Sequence, residues 1–163
     1  MERTLLDELK SLVGDFESAQ DELQAVYARK RAALVEARSQ ELAALARTEG
    51  ELAARLRAIL ARRGRLLQQA GRAGIPADSL AALAERIGGP DADRLRGRIE
   101  RGRSRSEELR RESWIHWIIA RRASRHYGEL IELVAGHGRR SPVYEQEREP
   151  RNSIGGAILD ASA

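Results

Sequence analysis

The chain has 163 residues, enough for one domain with an ordinary core, and a formal net charge of only +4 despite a pI near 10.1. Aromatic residues make up 4% and charged residues 33%. This composition suits long helices with Leu and Ala cores and disfavours a sheet. The absence of cysteine excludes disulfides, a thiol nucleophile and thiolate metal sites.

The first predicted helix begins near Thr4, a residue type that caps helices, with Asp7 and Glu8 in its first turn. Apolar residues then alternate at spacings of three and four, which indicates a heptad repeat. Its positions are Leu5, Leu9, Leu12, Phe16, Ala19, Leu23, Val26, Lys30 and Ala33. The repeat predicts a rod roughly 45 to 50 Å long.

A second helix is predicted from Ser39, where a side-chain cap would break the chain away from the first helix. It carries the same rhythm at Leu42, Leu45, Leu52, Leu56, Ile59, Leu66 and Ala70. Gly71, Gly74 and Pro76 end it. A short helix is then expected over residues 77–87, capped by Asp78 or Ser79.

The third long helix is predicted from near Asp91 or Asp93 to residue 135, with a looser first half because Gly97 and Gly102 interrupt it. One face is expected to pack into the bundle; its residues are Leu109, Ala120, Ala123, Tyr127, Leu130 and Val134. Trp114 and Ile118 project nearly opposite. Residues 137–163 show no periodicity and are expected to form a flexible tail.

The expected fold is therefore all-α: an antiparallel long-helix bundle with three long helices and one short one, residues 1–136, followed by the flexible C-terminal tail, residues 137–163. The acidic N-terminus does not resemble a signal peptide, and no apolar run reaches the length of a membrane span, so we expect a cytoplasmic protein.

Nothing in the sequence predicts an enzyme, a cofactor or a metal site. The glycines do not form a phosphate-binding motif, and the three histidines are ten and eleven residues apart, too far for shared ligation on one helix. Acidic and basic residues alternate at helical spacings, as at Glu51 and Arg55, which indicates ion pairs within a solvated helix face.

Two explanations suit the tryptophan-rich segment 114–119. The indole rings could fill gaps between helices lined with small side chains. Alternatively, a surplus apolar surface with surrounding arginines could receive a helix from a partner, because Trp and Arg dominate interface energetics. The candidate partner-binding residues are Trp114, Ile115, Trp117, Ile118, Arg121 and Arg125, with Tyr144 in the tail.

Several local patterns, in this order along nearly the whole chain, resemble the FlgN family of flagellar export chaperones. They are Arg29-Lys30-Arg31-Ala32-Ala33-Leu34, Arg65-Leu66-Leu67 followed by Gly-Ile-Pro, Leu130-Ile131-Glu132-Leu133, Pro142-Val143-Tyr144, and an ending with Gly155-Gly156, Leu159-Asp160 and Ala163. The family commonly has asparagines along the third helix, where this chain has Ser113, Trp114, His116 and Trp117.

The resemblance implies a cytoplasmic chaperone that binds C-terminal amphipathic helices of hook-associated proteins, prevents their premature assembly and delivers them to the export gate. It implies that cargo binds the third long helix and that Tyr144 contacts the gate, with no membrane insertion and no specific nucleic-acid ligand. Two alternatives stay open: nucleic-acid binding through the arginines of residues 94–105, and a structural tether that oligomerises through the heptad repeat of the first helix.

Overall fold

The protein is all-α, as predicted, in a computed structural model that describes residues 2–135. Four helices follow in order: α1 (Glu2–Val35), α2 (Ser39–Arg72), α3 (Leu80–Ile87) and α4 (Pro90–Ala135). No strand occurs within residues 2–135. The predicted tail from residue 137 lies outside the described residues.

The turn between α1 and α2 falls where a break was predicted, but Ser39 does not cap the second helix. The cap position is Arg38, which makes no side-chain capping hydrogen bond. Instead α1 closes with a Schellman motif, in which Arg38 N–H donates to the Ala33 carbonyl (2.9 Å) and Ala37 N–H to the Leu34 carbonyl (3.3 Å). Ala37 adopts the left-handed conformation, with φ of 53°. The prediction of a serine cap was therefore wrong, because backbone bonds at the end of α1 make the turn.

The connection from α2 to α4 follows the predicted turn residues closely. Gly74, with φ of 82°, ends α2, and the Ser79 hydroxyl caps α3 by accepting from Ala82 N–H at 3.1 Å. Gly88 and Gly89, both at positive φ, then reverse the chain. Pro90 is the first residue of α4, the helical position that proline favours.

Helix α1 is the centre of the molecule because it is buried along two adjacent rows. The predicted heptad positions are buried, with Phe16 and Lys30 only partly so. A second row, seven residues apart, is buried beside it and consists of Val13, Gln20 and Tyr27. Two rows give an apolar stripe wide enough to accept two neighbouring helices. The buried heptad also argues against a tether that oligomerises through α1.

Ion pairs between helices define the topology. Arg62 binds Asp15 and Arg55 binds Glu22, each at 2.7 Å, so α2 runs antiparallel to α1. Helix α4 runs parallel to α1, because its partners keep a constant offset of 81 residues from Lys10–Asp91 to Arg31–Glu112. The predicted pairing of Glu51 with Arg55 is replaced by these contacts, since Arg55 reaches across to α1.

Gly102 marks close packing between α1 and α4 rather than a loose segment. It is buried, and a Cβ atom placed there would lie 3.4 Å from the Phe16 ring. The Gln20 amide donates to the Gly102 carbonyl (2.8 Å) and to the Ser106 hydroxyl (2.9 Å). Helix α4 is continuous through both glycines. The predicted looser first half was therefore wrong, because Gly102 lets the two helices approach.

The core consists of two apolar clusters along α1. One joins α1, α2 and Leu109 of α4, and the other joins the start of α1 to the end of α2, to α3 and to the start of α4. Helices α2 and α4 both pack extensively on α1 but approach each other at few positions. The bundle is therefore open along the side where α2 and α4 face each other.

Candidate functional site

The last part of α4 extends beyond the rest of the bundle. The constant offset between α1 and α4 places the end of α1, Val35, level with residue 116. Roughly the last 19 residues of α4 therefore project about 28 Å past the turn between α1 and α2. We call residues 117–135 the overhang. Its side chains lack the neighbouring helices that cover the first half of α4.

The two tryptophans lie where the overhang begins, and they face solvent. Trp114 is 52% exposed and Trp117 is partly buried. Their rings stack with centroids 4.8 Å apart and an interplanar angle of 20°. The guanidinium of Arg121 lies 5.1 Å from the centroid of the Trp117 ring, a cation–π contact. These residues form a surface patch of stacked aromatic rings and one guanidinium.

Most of the predicted partner-binding residues gather around this surface. Ile115 and Ile118 are exposed, as are Arg121 and Arg125. At about 100° per residue, Ile118, Arg121 and Arg125 lie on the same side of α4 as Trp114, and Ile115 lies at its border. The structure thus leaves the indole rings at the surface and does not use them to fill the core. Tyr144 lies outside the described residues.

On the opposite side of α4 at this level, His116 is buried in the core. The sequence did not predict this position. His116 is only 3% exposed and meets the Tyr27 ring edge to face, with centroids 5.1 Å apart. Burial lowers the pKa of His116 below its usual 6.5, and the nearby Lys30 ammonium acts in the same direction. The imidazole is therefore neutral at pH 7 and serves as a packing group.

The predicted bundle-facing side of α4 is correct only as far as the bundle extends. Leu109 is buried, but Ala120, Tyr127 and Leu130 are exposed and Ala123 is only partly covered. The periodicity is real, yet α1 and α2 end before these residues are reached. The expectation that this side of α4 packs into the bundle beyond residue 116 was therefore wrong.

A groove between α2 and α4 is a further surface that the sequence did not reveal. It has a volume of about 400 Å³, and α1 forms its floor. Its apolar lining includes Leu12, Phe16, Leu56, Ile59 and Ile99. The groove follows from the poor contact between α2 and α4, a tertiary property that helix periodicity does not encode.

Comparison with known families decides the identity of the chain. A model of the FlgN family, described as FlgN protein, matches residues 1–151. The chain belongs to the FlgN family. Searches of curated proteins and of solved structures found no match.

Membership of the FlgN family makes this protein a flagellar export chaperone and confirms the resemblance found in the sequence. The match covers all four helices and includes Tyr144. The terminal residues Leu159, Asp160 and Ala163 lie beyond it.

None of the helices within residues 2–135 is long and apolar enough to cross a membrane. The same residues contain no group of three or more side chains that could hold a metal ion.

The arginine-rich start of α4 is largely engaged within the protein. Arg98 binds Glu17 through two hydrogen bonds of 3.0 and 2.6 Å, and this contact holds the pKa of the Glu17 carboxyl below its usual value. Arg105 contacts Asp21 at 2.5 Å. Arg94 and Arg96 pair with aspartates of the first turn of α4. The nucleic-acid alternative is weakened, because these cations already have acidic partners.

Proposed function

We propose that this chaperone acts in the cytoplasm and binds the C-terminal amphipathic helices of hook-associated proteins through the stacked tryptophans of α4. The observation that supports this proposal is the stacked Trp114–Trp117 pair at the surface where the overhang begins, with Trp114 52% exposed and Trp117 partly buried. A monomeric bundle has no structural need to leave stacked indoles in solvent, because burying them is strongly favourable.

The physical role follows from the chemistry of such cargo. A helix that assembles by burying an apolar face aggregates if that face stays uncovered. The indoles and Ile118 can cover the apolar face, while Arg121 and Arg125 meet acidic residues at its edge. The chaperone would thus keep cargo unassembled until export.

The expected binding energy allows release. Burying on the order of 100 to 200 Å² of indole surface over the two rings together gives about 2.5–5 kcal/mol at 25 cal/mol per Å². Association entropy offsets part of this gain. Tight but reversible binding is the result, as delivery to an export gate requires.

The experiment is a binding titration with a peptide of the C-terminal helix of a hook-associated protein. Trp114→Ala combined with Trp117→Ala is expected to weaken binding at least tenfold. Gln68→Ala is the control, since it also truncates an exposed side chain but lies at the opposite end of the bundle, level with the start of α4. Circular dichroism establishes that all variants keep their helical content. Equal affinities for the double variant and the control would refute the role of the indoles.

Tyr144 is proposed to contact the export gate. This residue lies within the segment that matches the family model. Tyr144→Ala is expected to leave the cargo titration unchanged while reducing capture of the chaperone by the cytoplasmic part of the gate. A parallel loss of cargo affinity would assign Tyr144 to the cargo site instead.

A further inference from the structure

The groove between α2 and α4 and the tryptophan pair lie along the same side of α4. Residues of α4 that line the groove fall in one row with the two tryptophans and the arginine beside them, separated by three, four or seven positions. The row consists of Ile99, Arg103, Arg110, Trp114, Trp117 and Arg121. Residues at these spacings share one face of a helix. The groove and the aromatic patch therefore form one continuous strip about 33 Å long.

The groove is lined by apolar side chains that the bundle covers only in part. Phe16 of α1, Leu60 of α2, Leu80 of α3 and Ile99 of α4 all line it, and each keeps part of its surface open to solvent. Each of the four helices contributes one of these side chains, so the opening is a property of the assembled bundle. A helix that covered them would gain the free energy of apolar burial.

The arginines of the groove indicate the charge of its occupant. Arg63 of α2 and both Arg103 and Arg110 of α4 line the groove. Within residues 2–135, none of these three guanidinium groups forms an ion pair. A fourth arginine of the lining, Arg98, is already paired with Glu17 at 2.6 Å. Three cations therefore remain for acidic groups of an occupant.

Two carboxylates also line the groove, but they lie at its outer edge. Glu100 and Glu107 each precede an arginine of the groove by three residues, which places them about 60° farther from the buried side of α4. An occupant between α2 and α4 therefore meets arginines on both flanks and glutamates only toward the solvent. Acidic residues on the flanks of the occupant match this arrangement.

Neither the rest of this chain nor a second copy supplies such an acidic surplus. Residues 136–163 contain four arginines and four acidic residues, so their charges balance. A second copy of the chain carries a formal net charge of +4. The charges of the groove thus favour a separate, acidic partner.

We propose that the groove and the tryptophan pair form a single site for an amphipathic helix of about 22 residues whose flanks are acidic. This inference rests on the proposed function, because it takes the cargo helix as the occupant. One half of the helix covers Phe16, Leu60 and Ile99 in the groove, and the other half covers the indoles. The occupant closes the bundle on the side where α2 and α4 stand apart.

Two fluorescence signals follow the two halves of this site separately. Both tryptophans of the chain lie in the aromatic patch, so their emission reports on that half. The chain has no cysteine, so Leu60→Cys carries a single fluorescent label in the groove. The same label on Ala54→Cys, an exposed position of α2 outside the groove, is the control. The probe is the C-terminal peptide of a hook-associated protein used in the binding titration.

Saturating peptide is expected to change the tryptophan emission and to reduce acrylamide quenching of the label at position 60 at least twofold, with the same Kd. The label at position 54 should not respond. A tryptophan response without protection at position 60 overturns this inference and leaves the proposed function intact. A missing tryptophan response refutes the proposed role of the indoles, and with it the single site.

Other occupants of the groove give different results. A label at position 60 that is already protected in the free chain, at every protein concentration, would show that another segment of this chain fills the groove. Protection that increases with protein concentration would show that a second copy fills it. Both results overturn the proposal.

The arginines are tested by charge reversal. Arg103→Glu combined with Arg110→Glu is expected to weaken peptide binding at least tenfold, because acidic flanks then meet glutamates. Arg47→Glu combined with Arg101→Glu is the matched control, with the same change in net charge at exposed positions outside the groove. Circular dichroism establishes that both variants keep their helical content. Equal affinities for the two variants would exclude charge recognition in the groove and overturn the proposal.

Discussion

At the scale of single residues, the two Schellman motifs of this protein differ in one informative position. The motif at the end of α2 places Gly74 in the left-handed conformation, while the motif at the end of α1 places Ala37 there. A Cβ atom makes that conformation unfavourable by about 1–2 kcal/mol, a cost that glycine avoids.

Ala37→Gly is therefore expected to stabilise the protein. The relief of strain exceeds the added entropy of the unfolded chain, for a net gain of about 0.5–1 kcal/mol. Urea unfolding followed by circular dichroism measures it. The opposite change at the matched position, Gly74→Ala, should cost about 1 kcal/mol. An unchanged or lower stability for Ala37→Gly would mean that the turn does not hold residue 37 at positive φ.

His116 is expected to make the stability of the protein depend on pH near neutrality. Its folded pKa is lowered by burial, so the unfolded chain binds a proton that the folded chain does not. Stability is fully present above about pH 7 and falls as the pH drops below 6.5, the usual histidine value. The pKa values of the Glu17 and Glu22 carboxyl groups are lowered in the folded chain. The stability that these two groups contribute is therefore lost only at more acidic pH.

His116→Phe should flatten the loss of stability between pH 7 and pH 5, since phenylalanine keeps an aromatic ring beside Tyr27 without a titrating group. Urea midpoints at several pH values are the measurement. His126→Gln, at an exposed position on the same helix, should keep the full dependence. The same slope in both variants would exclude His116 as its source.

At the scale of elements, the contact between α1 and α4 depends on a polar group within an apolar row. Gln20 is 2% exposed and its amide bridges two consecutive turns of α4. These bonds fix the lengthwise register of the two parallel helices, because a shift of α4 would leave the amide unpaired in the core.

Gln20→Ala is expected to lower the free energy of unfolding by about 1–3 kcal/mol, since it empties a buried volume and leaves the Ser106 hydroxyl without this partner. Gln24→Ala, one turn later and exposed, should cost less than about 0.5 kcal/mol. Chemical unfolding of both variants provides the comparison. A small loss for Gln20→Ala would mean that apolar packing alone sets the register.

The helices themselves were predictable from local rules. The predictions that were wrong about burial and packing in α4 all depended on the position of neighbouring helices. The repeat from Leu5 to Ala33 and a cap at Asp78 or Ser79 depend on spacing and on nearby backbone; the repeat was confirmed, and Ser79 is the residue that caps α3. The burial predicted for Tyr127 and Leu130 depends on where neighbouring helices end, which the periodicity of α4 cannot report. Gly102 was misjudged for the same reason, because its role depends on Phe16 and Gln20 across the interface.

The candidate site was predictable in its residues but not in its setting. Two tryptophans beside arginines in a chain poor in aromatics indicated a special segment. The stacking of the rings and the contact with Arg121 follow from spacings of three and four on one helix. That the rings lie at the base of a projecting helix required the parallel register of α1 and α4.

At the scale of the whole molecule, the overhang is expected to contribute to partner binding but little to stability. The last buried side chain among the described residues is His116, so the core is complete before the overhang begins. Regions with few buried contacts contribute little to global stability.

A chain that ends at residue 119 is therefore expected to unfold within about 1 kcal/mol of the full protein. It should bind the cargo peptide more weakly than the full chain, because it lacks Arg121 and Arg125 of the proposed cargo surface. Guanidinium unfolding and the cargo titration of the shortened chain are the measurements. A large loss of stability would show that residues beyond 119 pack on the core.

The length of α4 has a consequence for motion in solution. Its 46 residues form a rod about 69 Å long, of which only the first part is braced by other helices. Thermal bending concentrates at the point where bracing stops, which is where Trp114 and Trp117 lie. The indoles therefore lie at the base of the unsupported part of α4. A cargo helix that contacts both the rings and the overhang would restrict the bending of α4.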